Sequence, residues 1–288
     1  MGKIKIDKPG MYSSIQDFGR IGYAYYAIPP SGVMDKGSVF LANKILGNPD
    51  NCPVLEMTII PPQLTFLTDA VICLTGSNMN FKINNIICNN YQAIKVNKGD
   101  ILNGNPSSGS HRSYLAVNGM FKTLKHYGSA STYSNAKLGG LSGTKLKQED
   151  ILEWNDTLSK NLTFEFTKEK HQIQAIQINK GPEFDWLPQE SKVNLIESFF
   201  TIQTDSNRMG ARLKGPNLEI QNKHINRSLP VLPGFIQLPP SGSPIVILQD
   251  GQTTGGYPRI AYIRQDELSK FNQIPISKPF QFALDLEF

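Results

Sequence analysis

The sequence predicts a mostly-β protein with a few short helices. Short runs rich in Val, Ile, Leu, Phe, Tyr and Thr dominate, at 70–76, 112–118, 162–167, 173–178, 198–204, 233–238 and 244–249, each bounded by Gly, Pro, Asn or Asp. Only two segments carry helical punctuation. Gly (24) and Pro (19) are plentiful in a 288-residue chain that is 39% hydrophobic, a globular composition with many turns. Strands without alternating helices argue for a barrel or sandwich rather than a βαβ fold. A chain this long buries a core without staples, as one large domain or two β lobes. The polar stretch 145–161 is where such lobes would meet, although Ile151, Leu152 and Trp154 argue against a free tether.

Residues 91–102 read as two strands around a tight turn supplied by Asn97, Lys98 and Gly99. The first helix is expected over 35–46. Asp35 caps its free amides, Phe40, Leu41 and Ile45 form one apolar stripe, Gly47 closes the end and Pro49 forbids continuation. A shorter helix starts near Asp266, with Leu268 and Phe271 three apart. Pro-Pro-Ser-Gly occurs at 29–32 and again at 239–242, as a repeated turn or a trace of duplication.

Charge excludes some functions. Net charge is +5 and the pI about 8.9, but Lys and Arg are scattered, so no nucleic-acid footprint is expected. No apolar run approaches a membrane span. Cys52, Cys73 and Cys88 show no C-x-x-C spacing, which points away from a disulfide framework and towards a reducing compartment. The N-terminus lacks an apolar leader region, and the N-x-[ST] triplets at Asn155, Asn161 and Asn226 read as chance. The chain is therefore expected to be cytoplasmic.

Common catalytic signatures fail. His111, His126, His171 and His224 have no metal-ligand spacing, so no metal is expected. Gly-Gly-Leu-Ser-Gly-Thr-Lys (139–145) misses the phosphate-loop pattern, because Thr144 separates Gly from Lys, and reads as a tight glycine turn. There is no nucleophile elbow. Five dense polar segments remain. Asp17 and Arg20 lie in Gln-Asp-Phe-Gly-Arg (16–20), as a loop-positioning pair or a surface salt bridge. Ser31 and Asp35 lie in 29–35, where Asp35 serves as helix cap, substrate contact, or both. Residues 128–133, Gly-Ser-Ala-Ser-Thr-Tyr, cluster hydroxyls. Arg208 and Arg212, in a turn-like segment with Gly210 between them, would suit a carboxylate or phosphate, or form a solvated surface pair. The fifth, 250–259, is the most unusual. Asp250, Gln252, Thr253, Thr254, Gly255, Gly256, Tyr257 and Arg259 follow an apolar strand, and the glycines let the backbone approach an oxyanion.

Taken in order, these segments resemble the allophanate hydrolase subunit 2 family, also called the KipA or biotin-dependent carboxyltransferase family, which includes the C subunit of bacterial 5-oxoprolinase. The likeness runs from about Gly10 to about Phe282. It rests on 16–20, Ser-Gly-Val-Met-Asp (31–35), Leu-Ala-Asn-Lys-Ile-Leu-Gly-Asn (41–48), Leu-Glu-Met-Thr (55–58), 128–133, Leu-Gly-Gly-Leu-Ser-Gly (138–143), Arg-Met-Gly-Ala-Arg-Leu-Lys-Gly-Pro (208–216), 231–242 and Gln-Thr-Thr-Gly-Gly-Tyr-Pro-Arg-Ile (252–260).

The resemblance implies a cyclophilin-like β-barrel and a role within an ATP-dependent 5-oxoprolinase complex that opens 5-oxo-L-proline to glutamate. It implies a KipI-like (subunit 1) partner and a LamB/YcsF-like partner. ATP would sit at a subunit interface. Biotin would enter only on another protein, since this chain has no Met-Lys-Met motif. The alternatives are a urea amidolyase-like carboxyltransferase subunit and a non-catalytic regulator of a KipI-like kinase inhibitor. The shared logic is activation of an amide-, lactam- or urea-like group with its oxygen charge stabilised. On that reading Asp35, Arg208 and Asp250 are catalytic candidates. Ser31, Arg212, Gln252, Thr253, Thr254, Gly255, Gly256 and Tyr257 would bind substrate. The chain departs from relatives at Asn207, where they carry Asp, at Ser228-Leu229, where an acid usually follows Ser, at 118–121 and at 147–150.

Overall fold

A computed structural model describes residues 1–107, 111–156, 175–221 and 227–285. The expected strand at 162–167, and His171, His224, Asn161 and Asn226, lie outside the described residues. The chain divides into two compact units, Met1–Arg20 with Ser31–Lys170, and Ile21–Pro30 with His171–Phe288. Residues 151–156 form a strand of the first unit, so the division falls later than the stretch 145–161 suggested by polarity.

The first unit contains β1 (Gly2–Lys8), β2 (Tyr12–Gln16), α1 (Lys36–Ile45), β3 (Val54–Thr58), β4 (Gln63–Phe66), β5 (Ala70–Gly76), β6 (Lys82–Ile83) and β7 (Ile86–Ile87). It continues with β8 (Ala93–Val96), β9 (Ile101–Asn103), β10 (Arg112–Val117), β11 (Gly119–Phe121) and β12 (Ile151–Asp156). These strands make a seven-stranded sheet, β11-β12-β1-β4-β9-β6-β7, and a five-stranded sheet, β2-β3-β10-β5-β8. Alternation decides the layers. Ile4 and Ile6 of β1, Leu64 and Phe66 of β4, and Leu115 of β10 turn their apolar sides into one buried core between the sheets. The opposite face of the five-stranded sheet carries Val54, Cys73 and Ala116, covered by Val39, Ala42 and Ile45 of α1.

Asp35 caps α1 as the sequence predicts: its carboxylate accepts the Ser38 amide at 3.0 Å. The buried face is not the expected Phe40–Leu41–Ile45 stripe. Phe40 is exposed, and Val39, Ala42 and Ile45 pack inward. The two strands expected within 91–102 form, but not as a mutual hairpin. β8 pairs with β5 and β9 with β4 and β6, so the turn at Gly99 passes the chain from one sheet to the other. Residues 139–143 form the expected turn, with the Gly143 amide donating to the Gly139 carbonyl at 2.8 Å.

The second unit contains β13 (Ile176–Lys180), α2 (Gln189–Glu197), β14 (Thr201–Ile202), β15 (Gly210–Lys214), β16 (Leu229–Pro230), β17 (Phe235–Gln237), β18 (Ile245–Ile247), β19 (Thr254–Gly255), β20 (Arg259–Ile263), α3 (Gln265–Phe271) and β21 (Phe282–Leu284). Its main sheet runs β14-β15-β18-β17-β20-β13-β21, and β16 pairs with β19 separately. Phe200, Phe271, Phe280 and Phe282 form a buried aromatic cluster, with Phe280 and Phe282 edge to face at 5.2 Å. The helix expected near Asp266 is α3. Helix α2 is not predicted, because Pro188 stands where a capping Ser or Asp would signal a start.

Candidate active site

In the second unit the polar loop 250–259 joins β18 to β20 and is fixed at both ends. At its start Arg208 donates to Asp250 from Nε at 2.8 Å and from Nη2 at 3.1 Å, with both side chains buried. The Asp250 amide donates to the Arg208 carbonyl at 2.9 Å, so backbone and side chains hold the same two segments together. At its end Arg259 donates to Glu183 from Nε at 3.1 Å and from Nη2 at 2.9 Å, and its own amide donates to Glu183 at 2.8 Å. The Arg259 guanidinium also donates to the Pro230 carbonyl at 2.8 Å and lies over the Phe235 ring. Buried two-point pairs of this kind fix geometry as well as charge.

Between these anchors the loop is held by amides. Buried Gln237 accepts from Gln252 at 3.2 Å and donates to the Tyr257 carbonyl at 3.1 Å. β19 pairs with β16, and the Val231 amide donates to the Thr253 carbonyl at 2.9 Å. Gly251 is a packing requirement: a Cβ there would lie 2.7 Å from the Met209 carbonyl oxygen and 2.5 Å from Ile247. Gly256 is the opposite case. A Cβ there would meet nothing within 4 Å, so the fold does not demand its missing side chain. Thr254, Gly256 and Tyr257 are exposed at the tip, a hydroxyl, an approachable amide and a phenol on a pre-set backbone. Donors held in advance suit an oxyanion.

The loop and the 208 segment come together as expected, but the two guanidiniums do not. Arg208 lies before β15, turned inward and neutralised by Asp250. Arg212 lies on the exposed face of β15, where it pairs with Asp205 at 3.1 Å. Strand alternation separates it from its buried neighbours Ala211 and Leu213. Neither the expected twin-guanidinium hollow nor a solvated Arg208–Arg212 pair is present. The Asn207 side-chain oxygen accepts the Met209 amide at 2.7 Å, so the turn is closed without a carboxylate.

Ser31 and Asp35 belong to the first unit, in a buried polar layer that sequence reasoning largely missed. Sheet register aligns Ser14 of β2, Glu56 of β3, Tyr114 of β10 and Thr75 of β5 in one row, all fully buried. The segment before α1 is pinned to this row. The Met34 amide donates to Glu56 at 2.8 Å and the Asp35 amide to the Tyr114 hydroxyl at 2.8 Å. The second Asp35 oxygen accepts the Ser38 hydroxyl at 2.7 Å. Burial, then the Glu56 and Asp35 carboxylates, hold the Tyr114 phenol well above its usual range, so it stays protonated. Ser31 is buried at φ 52°, and its hydroxyl has no hydrogen-bond partner among the described residues.

Asp17 and Arg20 are both buried, so the surface salt-bridge reading fails. The Asp17 carboxylate accepts from the Gly19 and Ala130 amides at 2.9 and 2.7 Å, and from the Ser129 and Ser131 hydroxyls at 2.6 and 2.5 Å. The hydroxyl cluster at 128–133 therefore serves a buried carboxylate 112 to 114 residues away. Glu56 and Glu183 carry no local signal: each is an acid that the fold buries against a distant strand or loop. Among the described residues no group of three or more His, Cys, Asp or Glu is placed to hold a metal ion, and no helix is long and apolar enough to cross a membrane.

The chain as a whole has known counterparts. Residues 26–284 match the family described as carboxyltransferase domain, subdomain A and B, and the chain belongs to that family. It is 33% identical to the C subunit of 5-oxoprolinase from Escherichia coli K12, over 97% of this chain and 90% of that protein. It is 30% identical to urea amidolyase of Lachancea kluyveri, over 97% of this chain but 17% of that much longer protein. The crystal structure of the K. lactis urea amidolyase superimposes with a TM-score of 0.89 at 28% identity, covering 98% of this chain and 19% of the amidolyase chain.

Proposed function

We propose that this chain is the C-type subunit of an ATP-dependent 5-oxoprolinase. It would work with a KipI-like and a LamB/YcsF-like subunit to open 5-oxo-L-proline to L-glutamate. The observation that carries the reading is coverage. The likeness spans 90% of the E. coli protein, a relative of matching size, whereas it spans 17% of the L. kluyveri urea amidolyase. In the reaction the lactam C–N bond breaks, water supplies the new carboxylate oxygen and the ring nitrogen leaves as an amine. Negative charge builds on the lactam oxygen as the carbonyl is attacked.

The role assigned to this chain is to receive that oxygen on the tip of loop 250–259. The Thr254 hydroxyl and the Gly256 amide are the donors, and Gln252, Thr253, Gly255 and Tyr257 shape the surface around them. Arg208 and Asp250 act through the loop, as positioning residues, because each is consumed by the other. Ser31 and Asp35 make a polar element of the first unit, and Asp35 is the candidate there for proton handling. In this reading ATP would bind at a subunit interface, and biotin has no role.

The test is reconstitution. The purified chain is combined with its two partners, ATP and 5-oxoproline, and glutamate is measured. A folded, associated complex that releases none would refute the proposal. The structural likeness to the urea amidolyase supports one alternative, carboxyl transfer from a biotinylated partner to urea. In the same reconstitution, supplied with carboxybiotin and urea, that reading expects transfer and no glutamate.

A further inference from the structure

One buried side chain reaches both ends of the loop tip. Gln237, on β17, is 1% exposed. Strand register aims it there. Phe235 faces Tyr262 and Ile236 faces Ala261, but the pairing then slips, and Gln237 stands opposite Arg259 instead of Ile260. A bulge of this kind re-aims a side chain, and bulges concentrate beside functional sites.

Both ends of the carboxamide are committed. The Tyr257–Pro258 peptide has no N–H, so its carbonyl is its one hydrogen-bonding group, and Gln237 Nε2 donates to it at 3.1 Å. On the other side Gln237 Oε1 accepts from Gln252 at 3.2 Å. Between these contacts a Cβ on Gly255 would lie 2.7 Å from Nε2 and 3.3 Å from Oε1, so the loop backbone rests directly on the carboxamide. Thr254 and Gly256 flank that glycine.

We propose that Gln237 is the positioning residue of the loop tip: its neutral carboxamide, donating on one side and accepting on the other, sets where the Thr254 hydroxyl and the Gly256 amide stand. This rests on the reading of the tip as the receiver of the lactam oxygen. Gln237 acts through the loop, from beneath it.

Two variants test it. Gln237→Met keeps an unbranched side chain and removes both bonds. In the reconstituted complex kcat is expected to fall about 10²-fold with KM little changed, the pattern of an interaction used in the transition state. Gln237→Glu separates positioning from packing, because the new carboxyl can donate to the Tyr257 carbonyl only while protonated. The charged groups around the position are Arg259, opposite on β20, and its partner Glu183. Turnover relative to the parent, followed from about pH 5 to about pH 9, is expected to recover at the acid end and to fall as the carboxyl ionises. Loss of packing alone would lower the melting temperature without that profile in the folded protein. Parental kcat in Gln237→Met, or a relative turnover of Gln237→Glu that does not change with pH, would overturn the proposal.

Amide hydrogen exchange of the chain alone keeps the two readings apart. The Val231 amide, bonded to the Thr253 carbonyl at 2.9 Å, is expected to exchange about tenfold faster in Gln237→Met. If the parental complex releases no glutamate, the 5-oxoprolinase reading falls and this exchange decides the role of Gln237: faster exchange sustains it and unchanged exchange overturns it.

Discussion

Arg208 and Asp250, 42 residues apart in the chain, meet as a buried two-point ion pair that fixes the entry to the polar loop of the second unit. A matching pair, Glu183 and Arg259, fixes its exit. The charged groups nearest the loop are therefore structural, and the exposed neutral donors at its tip are left for chemistry. Substitutions separate these roles.

Arg208→Ala is expected to lower the unfolding free energy by about 3–5 kcal/mol, because Asp250 keeps its burial and loses its guanidinium. Urea denaturation would read the loss. The double variant Arg208→Met with Asp250→Leu should recover most of it, since an apolar pair of similar volume carries no desolvation cost. If the single variant is as stable as the parent, the pair does not anchor the loop.

Thr254→Ala and Gly256→Ala are expected to leave stability within about 0.5 kcal/mol, as both positions are exposed and Gly256 has open space around it. Turnover of the reconstituted complex should fall about 10²-fold or more for each, by loss of a donor in one case and obstruction of an amide in the other. Glutamate release by both variants at the parental rate would remove the loop tip from the site.

Arg259→Lys keeps the charge but cannot repeat the two-point contact with Glu183 or the further bond to the Pro230 carbonyl. A loss of about 1–3 kcal/mol is expected in thermal or chemical unfolding. The same variant should slow turnover while leaving the first unit intact, which trypsin digestion of the folded protein would show.

Burial pushes the Cys52 and Cys73 thiols up to about 11 and about 12. Above an ordinary thiol pKa of about 8.5 the unfolded chain releases these protons while the folded chain retains them. Stability should therefore fall as pH rises from that range towards 11. Cys→Ala variants at the two positions should flatten this limb of a stability-against-pH curve. At about pH 8, iodoacetamide should label Cys88, the least buried of the three, well before the other two.

Local signals are legible in the sequence and distant ones are not. Asp35 as a cap, Gly99 in a turn and the strand at 70–76 each follow from residues within one or two turns of chain. The face of α1 does not, because Phe40 satisfies the helical pattern but Val39 and Ala42 fit the sheet beneath. Nor does strand pairing: β1 finds β12 far along the chain, with Ile4 opposite Leu152, and no short window records that choice. The polar segments stand out as unusual, yet their partners do not. Asp17 is satisfied by Ser129 and Ser131, and Arg208 by Asp250, only once the chain has folded. Glu56, noted only as part of the 55–58 block, and Glu183, missed altogether, are single acids without a local pattern. Their meaning lies wholly in tertiary register.

The division of the chain at 20/21, 30/31 and 170/171 has a practical result. The second unit takes in the decapeptide Ile21–Pro30, so it is not a contiguous stretch of gene. A fragment begun at His171 would lack that piece, and one ended at Lys170 would carry it without its neighbours. During synthesis the decapeptide leaves the ribosome about 140 residues before the rest of its unit, and must wait for it.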